Sequence, residues 1–102
     1  MNKNKTFNIV LDQTTARIIA YLGNPNVCRD CIGNMVFSMK VNYKIEYDDT
    51  RCAIRELAAW GLAIIEPCQK DVDGDAYLTD IGDATVMLAV ALLEKWNDAG
   101  GE

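Results

Sequence analysis

Four cysteines have the most versatile chemistry in this chain of 102 residues. Cys28 and Cys31 form a Cys-x-x-Cys pair, to which Cys52 and Cys68 would add the other half of a zinc site. However, the apolar spacing places Cys28 and Cys31 on one face of a predicted helix, and Cys52 on another helix. No export signal is visible, so thiols are expected rather than disulfides. We predict buried apolar thiols, with metal binding, redox chemistry or disulfides as the alternatives.

Three aspartates surround Gly74, and carboxylates at alternate positions raise the question of calcium: they are Asp71, Asp73 and Asp75. The glycine falls at the wrong place for an EF-hand loop, and no glutamate follows at the required distance. The sequence therefore predicts an acidic, solvated turn. Catalysis has little support either, because the chain has no histidine, no glycine-rich phosphate loop and no serine or cysteine beside a plausible base. We expect neither an enzyme nor a cofactor.

The composition is that of one soluble globular domain, residues 1–102, with half of its residues apolar and a quarter charged. A net charge of −5 argues against a broad, sequence-independent hold on nucleic acid, although a local basic stripe remains compatible with it. The longest apolar run, Val86 to Leu93, is far below the roughly 18 residues that a membrane span needs. These features predict a cytoplasmic protein with no membrane partner.

The first half of the chain reads as an arm and two helices. Apolar residues alternate at Phe7, Ile9 and Leu11, which predicts an extended N-terminal arm over residues 1–11. Asp12 is a candidate N-cap for a helix over 13–22, which ends at Gly23-Asn24-Pro25. A second helix is predicted from Val27 to about Lys40, with Gly33 as a point of close packing against another helix. Residues 41–47 alternate again and read as a strand or as the turn of a helix-turn-helix.

The second half reads as a helix, a hairpin and a final helix. Asp48 or Asp49 would cap the third helix, and Gly61 would end it in the left-handed conformation. Residues 62–65 form a strand that Pro67 keeps at an edge, and Asp73-Gly74 is a hairpin-type turn before a second strand over 76–78. Thr79 or Asp80 would cap the last helix, residues 80–97.

That last helix is apolar around its whole circumference between Val86 and Leu93, so one domain core cannot bury it all. A second copy of the chain is the simplest cover for the other side. We therefore expect a homodimer, and the alternative is a helix that runs centrally through the monomer. The residues assigned to dimerisation are Met87, Val90, Leu93 and Trp96.

These motifs resemble the winged helix-turn-helix superfamily, in particular its MarR/PadR-like and GntR-like DNA-binding domains. The pattern Arg-x-Ala-Ile-Arg-x-Leu, ending in Gly-Leu-x-Ile, occupies residues 51–64, and Tyr-Leu-Thr followed by Gly82 matches the exit from the wing. The resemblance covers about residues 16–91. It implies an α+β, mostly α fold: a winged helix-turn-helix with a two-strand wing and a C-terminal dimerisation helix.

The resemblance also implies that the third helix docks in the major groove with the wing beside the backbone. Arg51 and Arg55 would then contact bases or phosphates, because guanidinium pairs bidentately with guanine and with phosphate. The alternative for both arginines is intrahelical pairing on a solvated face, for instance of Arg51 with Asp48 or of Arg55 with a neighbour of Glu56. The remaining DNA-binding candidates are Lys44, Lys40 and Lys70, of which Lys70 stands alone among the wing aspartates. That acidic wing is expected to be repelled by DNA.

Two functional hypotheses follow. The first is a small dimeric winged-helix transcription regulator that binds double-stranded DNA. The second is a winged-helix module that binds a protein partner, such as a virus- or phage-encoded inhibitor (anti-CRISPR-like) or an adaptor whose acidic surface mimics DNA. The charge balance favours the second hypothesis, and Arg51 with Arg55 favour the first.

Overall fold

A computed structural model describes residues 11–98 of the chain. The elements in order are α1 (Gln13–Leu22), β1 (Arg29–Cys31), α2 (Ile32–Tyr43), α3 (Tyr47–Ala59), β2 (Ala63–Cys68), β3 (Asp71–Leu78), α4 (Asp80–Ala84) and α5 (Val86–Asp98). The three strands form one antiparallel sheet in the order β1-β3-β2. The predicted α+β, mostly helical winged-helix fold is confirmed. The predicted arm lies outside the described residues except for Leu11.

Local signals set the start of α1 and the C-terminal end of α3 as predicted. Asp12 caps α1: its carboxylate accepts the Thr15 N–H at 2.8 Å, and its own N–H donates to the Thr15 hydroxyl at 3.0 Å. At the end of α3, Gly61 adopts φ 81°. The Leu62 N–H then reaches back to the Leu57 carbonyl at 2.9 Å, which closes a Schellman-type terminus. The chain therefore turns sharply from α3 into the wing.

The predicted start of α2 at Val27 is wrong, because the chain forms β1 before the helix begins at Ile32. In β1, Arg29 pairs with Tyr77 and Cys31 with Asp75 of β3. The Gly33 N–H donates to the Asp71 carboxylate at 2.5 Å, which satisfies a free donor in the first turn of α2. A Cβ at Gly33 would lie 2.6 Å from that carboxylate. The predicted close packing of Gly33 against another helix is therefore wrong, and the group that packs against Gly33 is the Asp71 carboxylate.

The prediction of buried cysteines is also wrong. Cys28 and Cys52 are exposed, and Cys31 and Cys68 are half-buried, all four as free thiols. Because residues 29–31 are extended, the Cα atoms of Cys28 and Cys31 lie about 10 Å apart at the usual rise per strand residue. A disulfide needs less than about 7 Å. Over residues 11–98, no group of three Cys, Asp or Glu side chains is placed to hold a metal ion.

The segment 41–47 is the end of α2 and a short turn, so the strand alternative is wrong. α2 ends at Tyr43, and Lys44 caps it in the left-handed conformation with φ 61°. Glu46, not Asp48 or Asp49, is the N-cap of α3. Both aspartates lie in the first turn instead, where their charge still offsets the positive end of the helix dipole.

The predicted hairpin turn at Asp73-Gly74 is wrong as well. The chain turns at residues 69–70 instead, and Asp73 and Gly74 both belong to β3. An irregularity in the register between Glu66 and Cys68 shifts the pairing so that Cys68 faces Asp71. Gly74 stands opposite this shift with φ 97°, and a Cβ there would lie 2.5 Å from the Glu66 carbonyl oxygen. Pro67 lies on β2, which is an edge strand as predicted.

The last helix is interrupted. Thr79 caps α4 as predicted, because its hydroxyl accepts the Gly82 N–H at 3.0 Å. However, α4 ends at Ala84, and Thr85 separates it from α5. Gly82 packs directly on the chain that enters the wing, since a Cβ there would lie 1.9 Å from the Leu62 carbonyl oxygen.

The core lies between α1, α2, α3 and the inner side of the sheet, and α5 packs across α1. Its largest fully buried side chains include Ile18, Met35, Ile54 and Leu57. The hydroxyl of Thr50 is buried among them with no hydrogen-bond partner in the described part of the chain. None of the helices described here is long and apolar enough to cross a membrane.

Candidate nucleic-acid interface

α2, the turn 44–46 and α3 form the helix-turn-helix, and α3 occupies the position of the recognition helix. Its inner face is Thr50, Ala53, Ile54 and Leu57, all buried. At 100° per residue, the opposite face is Asp48, Cys52, Arg55 and Ala59, all exposed. The outward face of the helix therefore presents one cation, one anion and two uncharged side chains.

Arg51 lies on the flank of α3 that faces the wing. Its Nε donates to the Asp73 carboxylate at 3.1 Å, and its Nη1 donates to Asp48 at 3.3 Å. The hydrogen bond to Asp73 is the main reason that the pKa of Arg51 is raised. The pairing with Asp48 is the alternative that the helical spacing suggests. The pairing with Asp73 is a tertiary contact between α3 and β3, which the sequence does not reveal.

Each wing aspartate has a partner inside the protein. Asp71 accepts the backbone N–H of Asp73 and then that of Gly33, and these two hydrogen bonds lower its pKa below the ordinary value. Asp75 is paired with Arg29 at 3.3 Å, and Glu66 of β2 is paired with the same arginine at 2.5 Å. The wing is acidic, as its sequence predicts. Much of its charge is nevertheless engaged in holding β1, β2, β3 and α2 together.

A second arginine cluster lies on the sheet, around Arg29. The guanidinium stacks on the Tyr77 ring with its Cζ 4.8 Å from the ring centroid. The Tyr77 hydroxyl donates to Glu66 at 2.7 Å, which is the main cause of a lowered pKa at Glu66 and a raised pKa at Tyr77. This cluster joins all three strands. The short β1 gives no periodic signal, so sequence reasoning misses it.

The five cations assigned to DNA binding divide into two groups. Arg51 is paired, and Lys40 is paired with Glu46 at 2.9 Å. The other three, Arg55, Lys44 and Lys70, are exposed and make no ion pair within residues 11–98. They lie on α3, in the turn before it and at the tip of the hairpin, respectively. These three positions are the free positive charges of the helix-turn-helix and wing.

The opposite flank of α3 is acidic. Asp49 and Glu56 line a cleft with Asp12 and Thr14 of the α1 start, and Cys52 and Ala53 complete it. No basic side chain lines this cleft. The side chain of Asp48, at the N-terminal end of the outward face, is 93% exposed. Negative charge therefore adjoins Arg55 on one side of the helix.

A groove between the start of α1 and the end of α2 has the opposite character. It has a volume of about 510 Å³ and includes two cations, Arg17 and Lys44. The Arg17 guanidinium stacks over the Tyr43 ring, 4.0 Å from the centroid. Sequence reasoning assigned no role to Arg17 or Tyr43. The available signal was the polar face of α1, on which Arg17 follows Gln13 by four residues and Thr14 by three.

α5 separates the four residues assigned to dimerisation. Leu93 and Trp96 are half-buried against the core of their own chain, and Ala89, about one turn before Leu93, is fully buried. Met87 is 84% exposed and Val90 39% exposed, and Leu88 beside them is 54% exposed. A shallow groove of about 300 Å³ opens there between Val86, Met87, Val90, Ala91 and Glu94. The helix covers the core with one side and leaves an apolar face uncovered within the described residues.

No protein-family model matches the chain, and no curated protein matches it in sequence. Among solved structures, two variants of ZitR from Lactococcus lactis are similar. The first has a TM-score of 0.62 at 15% identity, over 98% of this chain and 66% of that chain. The second has a TM-score of 0.61 at 15% identity, over 97% and 63%. The chain thus spans under two thirds of either ZitR chain, and it shares the fold of that part of ZitR.

Proposed function

We propose that this chain is a small homodimeric winged-helix transcription regulator that binds double-stranded DNA through α3 and the hairpin. The observation that carries the proposal is the set of three exposed cations that make no ion pair in the described residues: Lys44 in the turn, Arg55 on α3 and Lys70 at the hairpin tip. Phosphate and guanine oxygens are the partners that such donors lack. The likeness to ZitR supports a regulator with DNA as its partner.

Arg55 is the base-reading residue in this proposal. It lies on the outward face of α3, and no carboxylate of the described chain is paired with it. Arg51 has a secondary role, because it must exchange its contacts with Asp73 and Asp48 for contacts with DNA. Lys44 and Lys70 are backbone contacts, and Lys40 contributes less because Glu46 holds it. With so few cations, specific contacts must supply most of the affinity.

Binding to labelled duplexes at several salt concentrations tests this proposal. Arg55→Gln should cost about 1–3 kcal/mol, which is roughly 5- to 150-fold in affinity. Arg51→Gln should cost less, and Lys44→Gln should lower the salt slope by about one. Lys95→Gln, which removes the same charge from an exposed site on α5, is the matched control and should change little. No duplex binding at low salt, in a screen of random duplexes, would sink the proposal.

The homodimer is assigned to the uncovered face of α5. Met87, Leu88 and Val90 expose apolar area within about one turn of α5, beside the shallow groove. In a two-fold pair the same patch meets itself, so an apolar face with a groove needs no complementary charge. Leu93 and Trp96 would then support the interface from behind rather than enter it.

Sedimentation equilibrium tests the dimer. Met87→Glu should convert a dimer at tens of micromolar to a monomer that remains folded, since Met87 is 84% exposed in the single chain. Met35→Glu is not a usable control because Met35 is buried. Cys52→Ser, an exposed change on α3, is the matched one. A wild-type chain that is monomeric at that concentration would contradict the assignment.

A second function, binding of a protein partner, is favoured by the acidic flank of α3. Asp49 and Glu56, with Asp12, present a cleft with no basic lining, and a basic partner would be the complement. A virus- or phage-encoded inhibitor or adaptor with a DNA-like surface is of this kind. Asp49→Asn with Glu56→Gln should strengthen duplex binding if DNA is the partner. The same pair should abolish capture of a basic partner if protein is.

A further inference from the structure

The groove between α1 and α2 differs from every other charged part of the described chain. Its lining includes the cations Arg17 and Lys44 and the polar side chains of Gln13, Thr14 and Asn42, with no carboxylate among them. It continues past Tyr43 into a second hollow of about 250 Å³, which also has no acidic lining. In a protein with 15 acidic and 10 basic residues, a groove lined by two cations and no carboxylate is unexpected.

The acidic residues nearest in sequence are occupied elsewhere. Asp12 accepts the N–H of Thr15 as the cap of α1. Glu46 is paired with Lys40. In the described residues neither Arg17 nor Lys44 forms an ion pair, whereas Arg29, Lys40 and Arg51 all do. The positive charge of the groove is therefore available to a ligand.

The groove is also ordered for binding. Stacking on Tyr43 fixes the plane of the Arg17 guanidinium and leaves the N–H groups at its edge free to donate. Lys44 is held by the left-handed turn that ends α2. The N–H groups of Gln13 and Thr14 lie in the first turn of α1, where no intrahelical acceptor exists and the helix dipole favours an anion.

We propose that this groove is a binding site for a phosphate-type oxyanion, with Arg17 and Lys44 as its charged ligands. Arg17 would bind two oxygens through the edge of its guanidinium, and Lys44 would contribute a point charge from the opposite wall. The site shares Lys44 with the proposed DNA contacts but needs no base reading by α3. The oxyanion comes either from a backbone phosphate beside the helix-turn-helix or from a free phosphate compound.

Titration with inorganic phosphate, followed by amide chemical shifts at constant ionic strength, tests the site. Saturable shifts are expected at Gln13, Thr14 and residues 42–45. Arg17→Gln should weaken binding about tenfold, the value of one charge-assisted contact of about 1.4 kcal/mol. Lys95→Gln should leave it unchanged. Should Arg17→Gln fail to fold, Lys44→Gln serves instead, because Lys44 is exposed. The proposal is overturned if the wild type gives no saturable response, or if Arg17→Gln or Lys44→Gln responds as strongly as the wild type.

A second arm identifies the source of the oxyanion. If it is DNA, Arg17→Gln should lower duplex affinity and reduce the salt slope by about one, with base preference unchanged. If it is a free phosphate compound, the variant should lose phosphate binding while duplex binding stays as in the wild type. A chain that binds phosphate but no duplex would disprove DNA reading by α3 and leave the groove assignment intact. The two proposals therefore fail separately.

Discussion

The wing and the α1–α2 groove use arginine in opposite ways. Around the wing, Arg29 of β1 and Arg51 of α3 are each bound by two carboxylates, and those bonds fasten the strands and α3 to one another. In the groove, Arg17 rests on an aromatic ring, and no carboxylate lines the space around it. The arginines around the wing are paired with carboxylates of the same chain, whereas no carboxylate lines the groove beside Arg17.

This difference shows why a count of basic residues is a poor guide to nucleic-acid binding. Arg51 lies where the winged-helix pattern places a reading residue, yet two aspartates already hold it. Arg17 matches no motif and is available. An ion pair at the surface contributes little to stability, but it lowers the readiness of an arginine to take a new partner. Availability is decided by tertiary neighbours.

The largest expected effect comes from loosening the wing at its base. Gly82→Ala should destabilise the fold by about 3 kcal/mol, because a Cβ would collide with the Leu62 backbone and overpacking is costly. A fall of about 10 °C or more in Tm should follow. Gly61→Ala is the matched control: it meets no neighbour within 4 Å but keeps φ at 81°, so it should cost only about 1 kcal/mol. Denaturation curves in which Gly61→Ala is the worse variant would contradict this ranking.

An intermediate effect is expected at Asp71, which ties the wing to α2. Asp71→Ala should cost about 1 kcal/mol, the usual loss on removing a helix cap. The pKa of Asp71 is lowered by its backbone hydrogen bonds, first to Asp73 and then to Gly33. Its contribution is therefore present above the unfolded pKa of about 3.9 and is lost as the pH falls through the folded value.

Urea denaturation between pH 2 and 7 measures that acid loss. The pKa of Glu66 is lowered too, through Tyr77 and then Arg29, so the wing has two carboxylates that lose their stabilising contacts in acid. Asp71→Ala should flatten the pH dependence below about pH 4. The groove has no carboxylate in its lining, so amide signals of Asn42 and Tyr43 at the end of α2 should change later than those of β3. Simultaneous changes in both regions would argue against the contrast.

The smallest expected effect separates the two arginines by salt. Arg51→Gln should destabilise the protein at low salt and become nearly silent at 1 M salt, because screening weakens its exposed ion pairs. Arg17→Gln should cost about 0.5 kcal/mol through lost stacking, nearly independent of salt. Thermal denaturation at both salt concentrations gives the comparison. A strong salt dependence for Arg17→Gln would mean that a carboxylate partners it in solution.

Features governed by neighbours in sequence could be predicted. The Asp12 cap, the Gly61 stop and the Thr79 cap each rest on contacts within a few residues. Features governed by pairing across the chain could not. β1 is three residues long and is stabilised by pairing with β3. That pairing leaves no local signal, and the apolar spacing around Cys28 predicts a helix instead. The hairpin turn moved from Gly74 to residues 69–70 because a register shift, not the Asp-Gly signal, set the pairing.

The candidate site was predictable to the same extent. Helical spacing placed Arg55 outward and suggested the pairing of Arg51 with Asp48, and both are found. The contact of Arg51 with Asp73 spans 22 positions and the groove joins α1 to the end of α2. Such contacts depend on how helices and strands pack, which no local pattern records.

Because β1 is extended, the Cys28 and Cys31 thiols can report on how often this strand separates from β3. While the strand is paired with Tyr77 and Asp75, the two sulfurs are held apart by the backbone between them. Under a mild oxidant a disulfide between Cys28 and Cys31 can close only in molecules whose β1 has detached from β3. The rate of that closure therefore measures how often the first strand leaves the sheet, without the rest of the protein unfolding.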